Sequence, residues 1–140
     1  MSKELNTIKQ KIADATPILI SKYNLDFLVL FGSVAKGKAR PNSDVDIGFK
    51  GNIDFQASLQ LAVDLSEILK TDHVDLVDMS TASPLIQYLA SHEGILLYEK
   101  ENGIFADFKI YAFKHFIETQ PLRDLNFKRT LTYLGMLKTI

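Results

Sequence analysis

The stretch from Leu25 to Lys50, LDFLVLFGSVAKGKARPNSDVDIGFK, constrains this chain more than any other. Its first seven residues are dense in β-formers and apolar on both faces, which suits a strand covered on both sides. The strand ends at Gly32-Ser33 and leads into a basic connection containing Gly37 and Pro41. A second strand follows, in which Asp44 and Asp46 alternate with Val45, Ile47 and Phe49, the period of two of a half-buried strand. The fold therefore has to leave two carboxylates on one face of an otherwise apolar sheet.

A chain of 140 residues with 46% hydrophobic content supports one core, so we expect a single domain over residues 1–140. There are no cysteines, which fits a reducing cytoplasm and leaves only oxygen or imidazole as metal ligands. The N-terminal segment lacks an apolar signal region, and no run approaches the roughly 18 apolar residues of a membrane span. A cytoplasmic protein without membrane contact is expected. The formal charge sums to +3 over residues 1–50, −6 over 51–98 and +2 over 99–140. The basic excess beside Gly32-Ser33 comes from Lys36, Lys38 and Arg40, where a phosphate could use it. No basic footprint for direct nucleic-acid binding runs along the chain.

Leu5, Ile8, Ile12, Ala15 and Leu19 follow helical spacing and predict an amphipathic helix over residues 3–22, with Pro17 expected to kink or interrupt it. Asp54 is a candidate N-cap for a helix through Leu69 with an apolar stripe of Leu61, Leu65 and Ile68. HVDLVDM predicts a third strand. Ser83-Pro84 and Gly94 bracket a short helix around residues 85–91, and ILLY at 95–98 predicts a fourth strand. Beyond Gly103 the pattern is helical again, divided near Gln120-Pro121. We expect an α+β fold: a mixed sheet of about four strands flanked by helices, forming an α/β core over residues 1–99, with a helical C-terminal extension over 100–140.

The acids suggest chemistry. Two residues apart on a strand, Asp44 and Asp46 project from one face with their Cα atoms about 6.5–7 Å apart. Such a pair repels itself and resists desolvation unless cations neutralise it. Oxygen ligands with open positions suit Mg²⁺ or Mn²⁺. Asp75 in the third strand is the natural third ligand, with Val74 and Leu76 packing the other way. Three acids around two metals about 3.5–4 Å apart would serve in-line phosphoryl transfer. At Gly32-Ser33, glycine admits close backbone approach to phosphate oxygens, the serine hydroxyl adds a donor, and Lys36 adds charge. Each element alone is weak, since a lone Asp-x-Asp or Gly-Ser is usually structural. Their order and spacing together are far more specific.

Gly32-Ser33, Lys36-Gly37 and Ser43-Asp44-Val45-Asp46 resemble the signature of the polymerase-β-like nucleotidyltransferase superfamily, and the compact chain resembles its minimal nucleotidyltransferases. The spacing and the continuation Asp75-Leu76-Val77-Asp78 are most similar to the MntA antitoxins of HEPN/MNT toxin–antitoxin modules. That resemblance implies an enzyme using ATP and two Mg²⁺ ions to transfer AMP to a tyrosine hydroxyl of a HEPN-family ribonuclease toxin. It further implies that Gly32, Ser33, Lys36 and Ser43 bind the nucleotide. Asp44 and Asp46 would hold both metals, and Asp75 the metal beside the attacking hydroxyl. Lys36 stands where the family often has arginine, which removes a bidentate phosphate contact.

Two alternatives stay open: a non-catalytic antitoxin that neutralises by docking, and nucleotidyl transfer to a small molecule such as an aminoglycoside. A homodimer and a hetero-oligomer with the toxin are equally open. Half of the chain's fourteen aromatics fall in the last segment, from Phe105 to Tyr133, too many for one narrow stripe. Core packing is the plainer expectation and a docking face the sharper one. His73, His92 and His115 lie on separate elements without ligand spacing. His115 also lacks the upstream arginine and the following His-x-Tyr tyrosine of a HEPN nuclease, position 117 being Ile.

Overall fold

The computed structural model describes residues 3–40 and 42–135. The predicted spans 1–140 and 100–140 include residues 1, 2, 41 and 136–140, which lie outside the described residues. Ten elements follow one another: α1 (Lys3–Lys22), β1 (Leu25–Phe31), α2 (Gly32–Ala35), β2 (Val45–Gly51), α3 (Phe55–Leu69), β3 (Val74–Asp78), α4 (Pro84–Glu93), β4 (Ile95–Glu99), α5 (Ile104–Glu118) and α6 (Gln120–Tyr133). The strands form one mixed sheet in the order β3-β2-β1-β4. β1 pairs antiparallel with β2 and β4, while β2 and β3 run parallel.

The apolar periodicities explain the layers. On one face, Leu28 and Leu30 of β1 and Ile47 and Phe49 of β2 pack with the α1 stripe Leu5, Ile8, Ile12 and Leu19 and with Leu61, Leu65 and Leu69 of α3. On the other, Phe27, Val29 and Phe31 of β1 meet Met79, Ala90 of α4, and Phe105, Phe108 and Ala112 of α5. β1 is thus the covered central strand its composition demands. Phe27, fully buried, has its ring centroid 5.1 Å from that of Phe105 and 4.9 Å from that of Phe108. Truncating such a side chain costs about 3–5 kcal/mol.

Several boundaries differ instructively from expectation. α1 runs through Pro17 without interruption. Its stripe is buried on both sides of the proline, and the Ala13 carbonyl that Pro17 cannot serve belongs to an exposed residue. In α3 the stripe is completed by buried Leu69, with Ile68 half-buried, because the helix continues to a left-handed cap at Lys70. Asp54 caps that helix as predicted, its side chain accepting from the Ala57 N–H at 2.7 Å. Ser83 does the same for α4, accepting from the Ile86 N–H at 3.2 Å.

The C-terminal aromatics divide. Phe105 and Phe108 join the core, whereas Tyr111, Phe113, Phe127 and Tyr133 are exposed. α5 is therefore part of the second core layer, while α6 has no buried residue. A stack holds α6 in place. Tyr88 of α4 lies on Phe116 of α5 with centroids 4.2 Å apart, and the Arg123 guanidinium of α6 sits 4.0 Å over the same ring. Arg123 also donates to the Phe116 carbonyl at 2.7 Å and to Thr119 Oγ1 at 2.6 Å.

Candidate active site

The topology brings one end of three strands together: the exit of β1 and the entries of β2 and β3. In the antiparallel pair, Phe31 of β1 is opposite Asp46 of β2. In the parallel pair, Asp46 is the register partner of Asp75. Val45 and Ile47 occupy the α1–α3 face, so alternation turns Asp46 to the other one. Val74 and Leu76 likewise pack against the first core cluster, leaving Asp75 on the side of Asp46.

Asp44 lies one residue before β2, not within it, which corrects the expected strand boundary. The ladder toward β3 begins with the Val45 N–H, which donates to the His73 carbonyl at 2.6 Å. Asp44 is exposed, yet its charge still acts on Asp46. The Asp46 carboxyl is raised above 3.8, first by burial, then by the charges of Asp75 and Asp44. Among the described residues, neither Asp46 nor Asp75 has an ion-pair or hydrogen-bond partner for its carboxylate, and Asp44 has only the His73 ring, 3.8 Å away.

Gly32 makes the close approach possible. It has φ +76°, and a β-carbon built there would collide with Asp46 Oδ2. Only glycine lets β1 leave the sheet so tightly against that carboxylate. Ser33 and Val34 continue into α2, whose N-terminus has no side-chain cap. Lys36 closes the turn, its N–H donating to the Gly32 carbonyl at 3.2 Å, while its Nζ lies 2.7 Å from Glu93 Oε2 at the end of α4.

Ser43 directly precedes Asp44. Its hydroxyl accepts from the Arg40 N–H at 2.7 Å, and its side chain borders a cleft of about 420 Å³ with Thr7, Lys11, Val45, Thr71 and His73. Ser43 thus borders the same cleft as Val45 and as His73, the ring beside Asp44. Sequence spacing passed over two neighbours of the site, His73 beside Asp44 and Glu93 on Lys36. The strand-entry position of His73, directly before Val74-Asp75, was the available sign for the first. Glu93 carried none, being distant in sequence. His115 is accounted for structurally: its Nδ1 lies 3.2 Å from Gln87 Oε1, and buried Gln87 donates through Nε2 to the Met79 carbonyl at 2.8 Å.

Among the described residues, no group of three or more His, Asp or Glu side chains is gathered closely enough to hold a metal ion as placed. The donor set nonetheless fits a hard divalent cation. It is all carboxylate oxygen, it is electrostatically frustrated at Asp46, and exposed Asp44 and Asp75 have room to rotate onto a cation.

A mixed sheet whose central strand ends in a Gly-Ser turn against an Asp-x-Asp entry, with a third acid on the parallel neighbour, defines a nucleotidyltransferase class of fold. Residues 10–103 match the family model described as Polymerase beta, Nucleotidyltransferase. The chain belongs to that family.

Named relatives narrow the likeness. The chain is 34% identical over 96 residues to Protein adenylyltransferase MntA of Aphanizomenon flos-aquae, covering 61% of this chain and 64% of that protein. It is 33% identical over 105 residues to Protein adenylyltransferase MntA of Shewanella oneidensis, covering 71% and 75% respectively. Among solved structures, it matches a chain of a toxin–antitoxin crystallised with AMP-PNP, with a TM-score of 0.71 and 26% identity, over 93% of this chain and 99% of that one. An MntA–HepT toxin–antitoxin structure matches with a TM-score of 0.67 and 25% identity, over 89% and 97%. Among the described residues, no helix is long and apolar enough to cross a membrane.

Proposed function

We propose that this chain is an antitoxin that silences a HEPN-family ribonuclease by transferring AMP from ATP to a tyrosine hydroxyl of that toxin. The observation that carries the reading is the meeting of Asp46, Asp75 and Gly32 at one end of the sheet. The relatives named protein adenylyltransferases and the matched toxin–antitoxin chains support a protein acceptor within a toxin–antitoxin pair.

In the proposed reaction the tyrosine oxygen attacks the α-phosphorus of ATP. The bond from that phosphorus to the α–β bridging oxygen breaks, pyrophosphate leaves, and the hydroxyl proton passes to Asp75 or to water. Gly32 and Ser33 present backbone N–H groups and a hydroxyl to the departing phosphates, and Lys36 supplies charge there. Two Mg²⁺ ions, or Mn²⁺, held by Asp44, Asp46 and Asp75 would lower the pKa of the attacking hydroxyl and offset charge on the leaving group. Ser43 would join Gly32, Ser33 and Lys36 in binding the nucleotide, from the position directly before Asp44 where its hydroxyl accepts from the Arg40 N–H.

Intact-mass analysis tests the reading. A HEPN toxin that this protein binds, incubated with it and Mg-ATP, should gain whole AMP units. Asp46→Asn should abolish the gain, and a toxin of unchanged mass under Mg²⁺ and Mn²⁺ would defeat the proposal.

A second reading, neutralisation by docking, is favoured by α6, which buries no residue yet exposes Leu122, Phe127 and Tyr133. The two are compatible, since an enzyme must hold a protein substrate. They separate by asking whether Asp46→Asn still protects cells from the toxin.

A further inference from the structure

We propose that Glu93 is a counter-ion that competes with nucleotide phosphates for Lys36, weakening triphosphate binding and helping pyrophosphate to leave. The inference rests on the nucleotide site proposed above. Lys36 follows Gly32 by one helical turn, and its ammonium is already engaged, 2.7 Å from the Glu93 carboxylate. Lys38 and Arg40, on the same connection, have no acidic partner among the described residues. The pairing therefore singles out the lysine at the motif position.

Glu93 is held where it is by the backbone. It is the last residue of α4, and the next residue, Gly94, meets β1 so closely that a β-carbon there would collide with Val29 Cγ2, while Ile95 pairs with Leu30 of β1. The end of α4 cannot drift from the exit of β1, so the carboxylate stays beside the phosphate turn. A glutamate at a helix C-terminus also faces the negative end of the helix dipole. Local preference does not put it there, and Lys36 is what offsets it.

The consequence for a ligand is electrostatic. A carboxylate in contact with the ammonium takes one of its donors and cancels its charge, so a triphosphate reaching Lys36 also meets Glu93. Handover is feasible because the pair is open to water, with side chains 43% and 36% exposed. Exposed pairs are weak, and the competition should be worth about two- to fivefold in affinity. Once AMP has been transferred, the same carboxylate recaptures Lys36 from pyrophosphate.

Calorimetric titration of the full chain with a non-hydrolysable Mg-ATP analogue, and separately with Mg-pyrophosphate, tests this. Glu93→Gln should bind both about two- to fivefold more tightly than wild type, Glu93→Ala should change affinity in the same direction, and Glu93→Asp should stay near wild type. The gain should vanish in a Lys36→Met background. Unchanged or weaker binding by Glu93→Gln, or an equal gain without Lys36, overturns the inference and leaves the nucleotide site standing. A wild type that binds neither ligand overturns both.

Discussion

Asp46 and Asp75 face one another as register partners across the parallel β2–β3 pair, two like charges on adjacent strands, neither ion-paired among the described residues. The protein holds this repulsion at the point where β1 leaves the sheet. A stability-driven design would put a lysine or an apolar residue at one of the two positions, so the repulsion agrees with the cation site proposed above.

Removing the repulsion should separate stability from activity. Because the Asp46 pKa is raised, between 3.8 and its folded value the native protein keeps a proton that the unfolded chain releases. Metal-free stability therefore falls as pH rises through that window and then levels. Asp46→Asn should remove this slope and, at neutral pH, leave Tm equal to wild type or about 1–4 °C higher while adenylylation is lost. Thermal melts across pH, with and without chelator, check it. Added Mg²⁺ should raise Tm in wild type and not in the variant.

Gly32→Ala tests the contact between turn and acid. Positive φ alone costs about 1–2 kcal/mol for an alanine, and the new methyl has to displace the Asp46 carboxylate. We expect that modest loss of stability together with a loss of activity of about a hundredfold, as a misplaced catalytic group commands. Denaturant titration and single-turnover kinetics give the two numbers. Equal, modest losses in both would mean that Asp46 need not sit against the turn.

Asp64 provides a pH dependence of opposite sign, away from the site. Burial would raise its pKa, but hydrogen bonds from Lys22, Tyr23 and Gln60 outweigh that and lower it below 3.8. Its contribution is therefore complete above 3.8 and is lost as pH falls through the lower, folded value. Asp64→Asn should cost about 1–3 kcal/mol at neutral pH, shrinking toward zero in acid, with adenylylation retained. Urea unfolding at several pH values measures it.

The terminal helices should come apart from the core by mutation. Ending the chain at Thr119 removes no core side chain among the described residues, so the melting transition should move by less than about 3 °C, whereas ending it at Lys100 strips Phe105, Phe108 and Ala112 from the second core cluster and should prevent folding. The shorter of these deletions, or Phe127→Asp alone, should weaken binding of the toxin at least tenfold, as loss of a docking anchor does. Sedimentation of the mixed proteins is the readout.

How much of this was legible beforehand depended on how local each determinant is. Asp54 and Ser83 mark helix starts through hydrogen bonds spanning three residues, and both were visible in sequence, as was Gly94 at the end of α4. The effect of Pro17 was not, since continuity there is decided by what α1 packs against. The split of the aromatics was equally hidden: Phe105 and Phe108 lie three apart on the face that meets Phe27, and nothing in the spacing of Tyr111, Phe113 and Phe127 says that they stay exposed.

The sequence by itself determined the covered central strand, the alternation that puts Asp46 on the face opposite Val45, and the Gly-Ser turn, because these follow from side-chain periodicity and backbone sterics. The tertiary structure alone decided that β3 lies parallel to β2 in the register that sets Asp75 beside Asp46, and that Glu93 reaches Lys36. Register and strand order are fixed by packing between elements distant in the chain, where the free energy comes from surfaces that exist only once the layers have met.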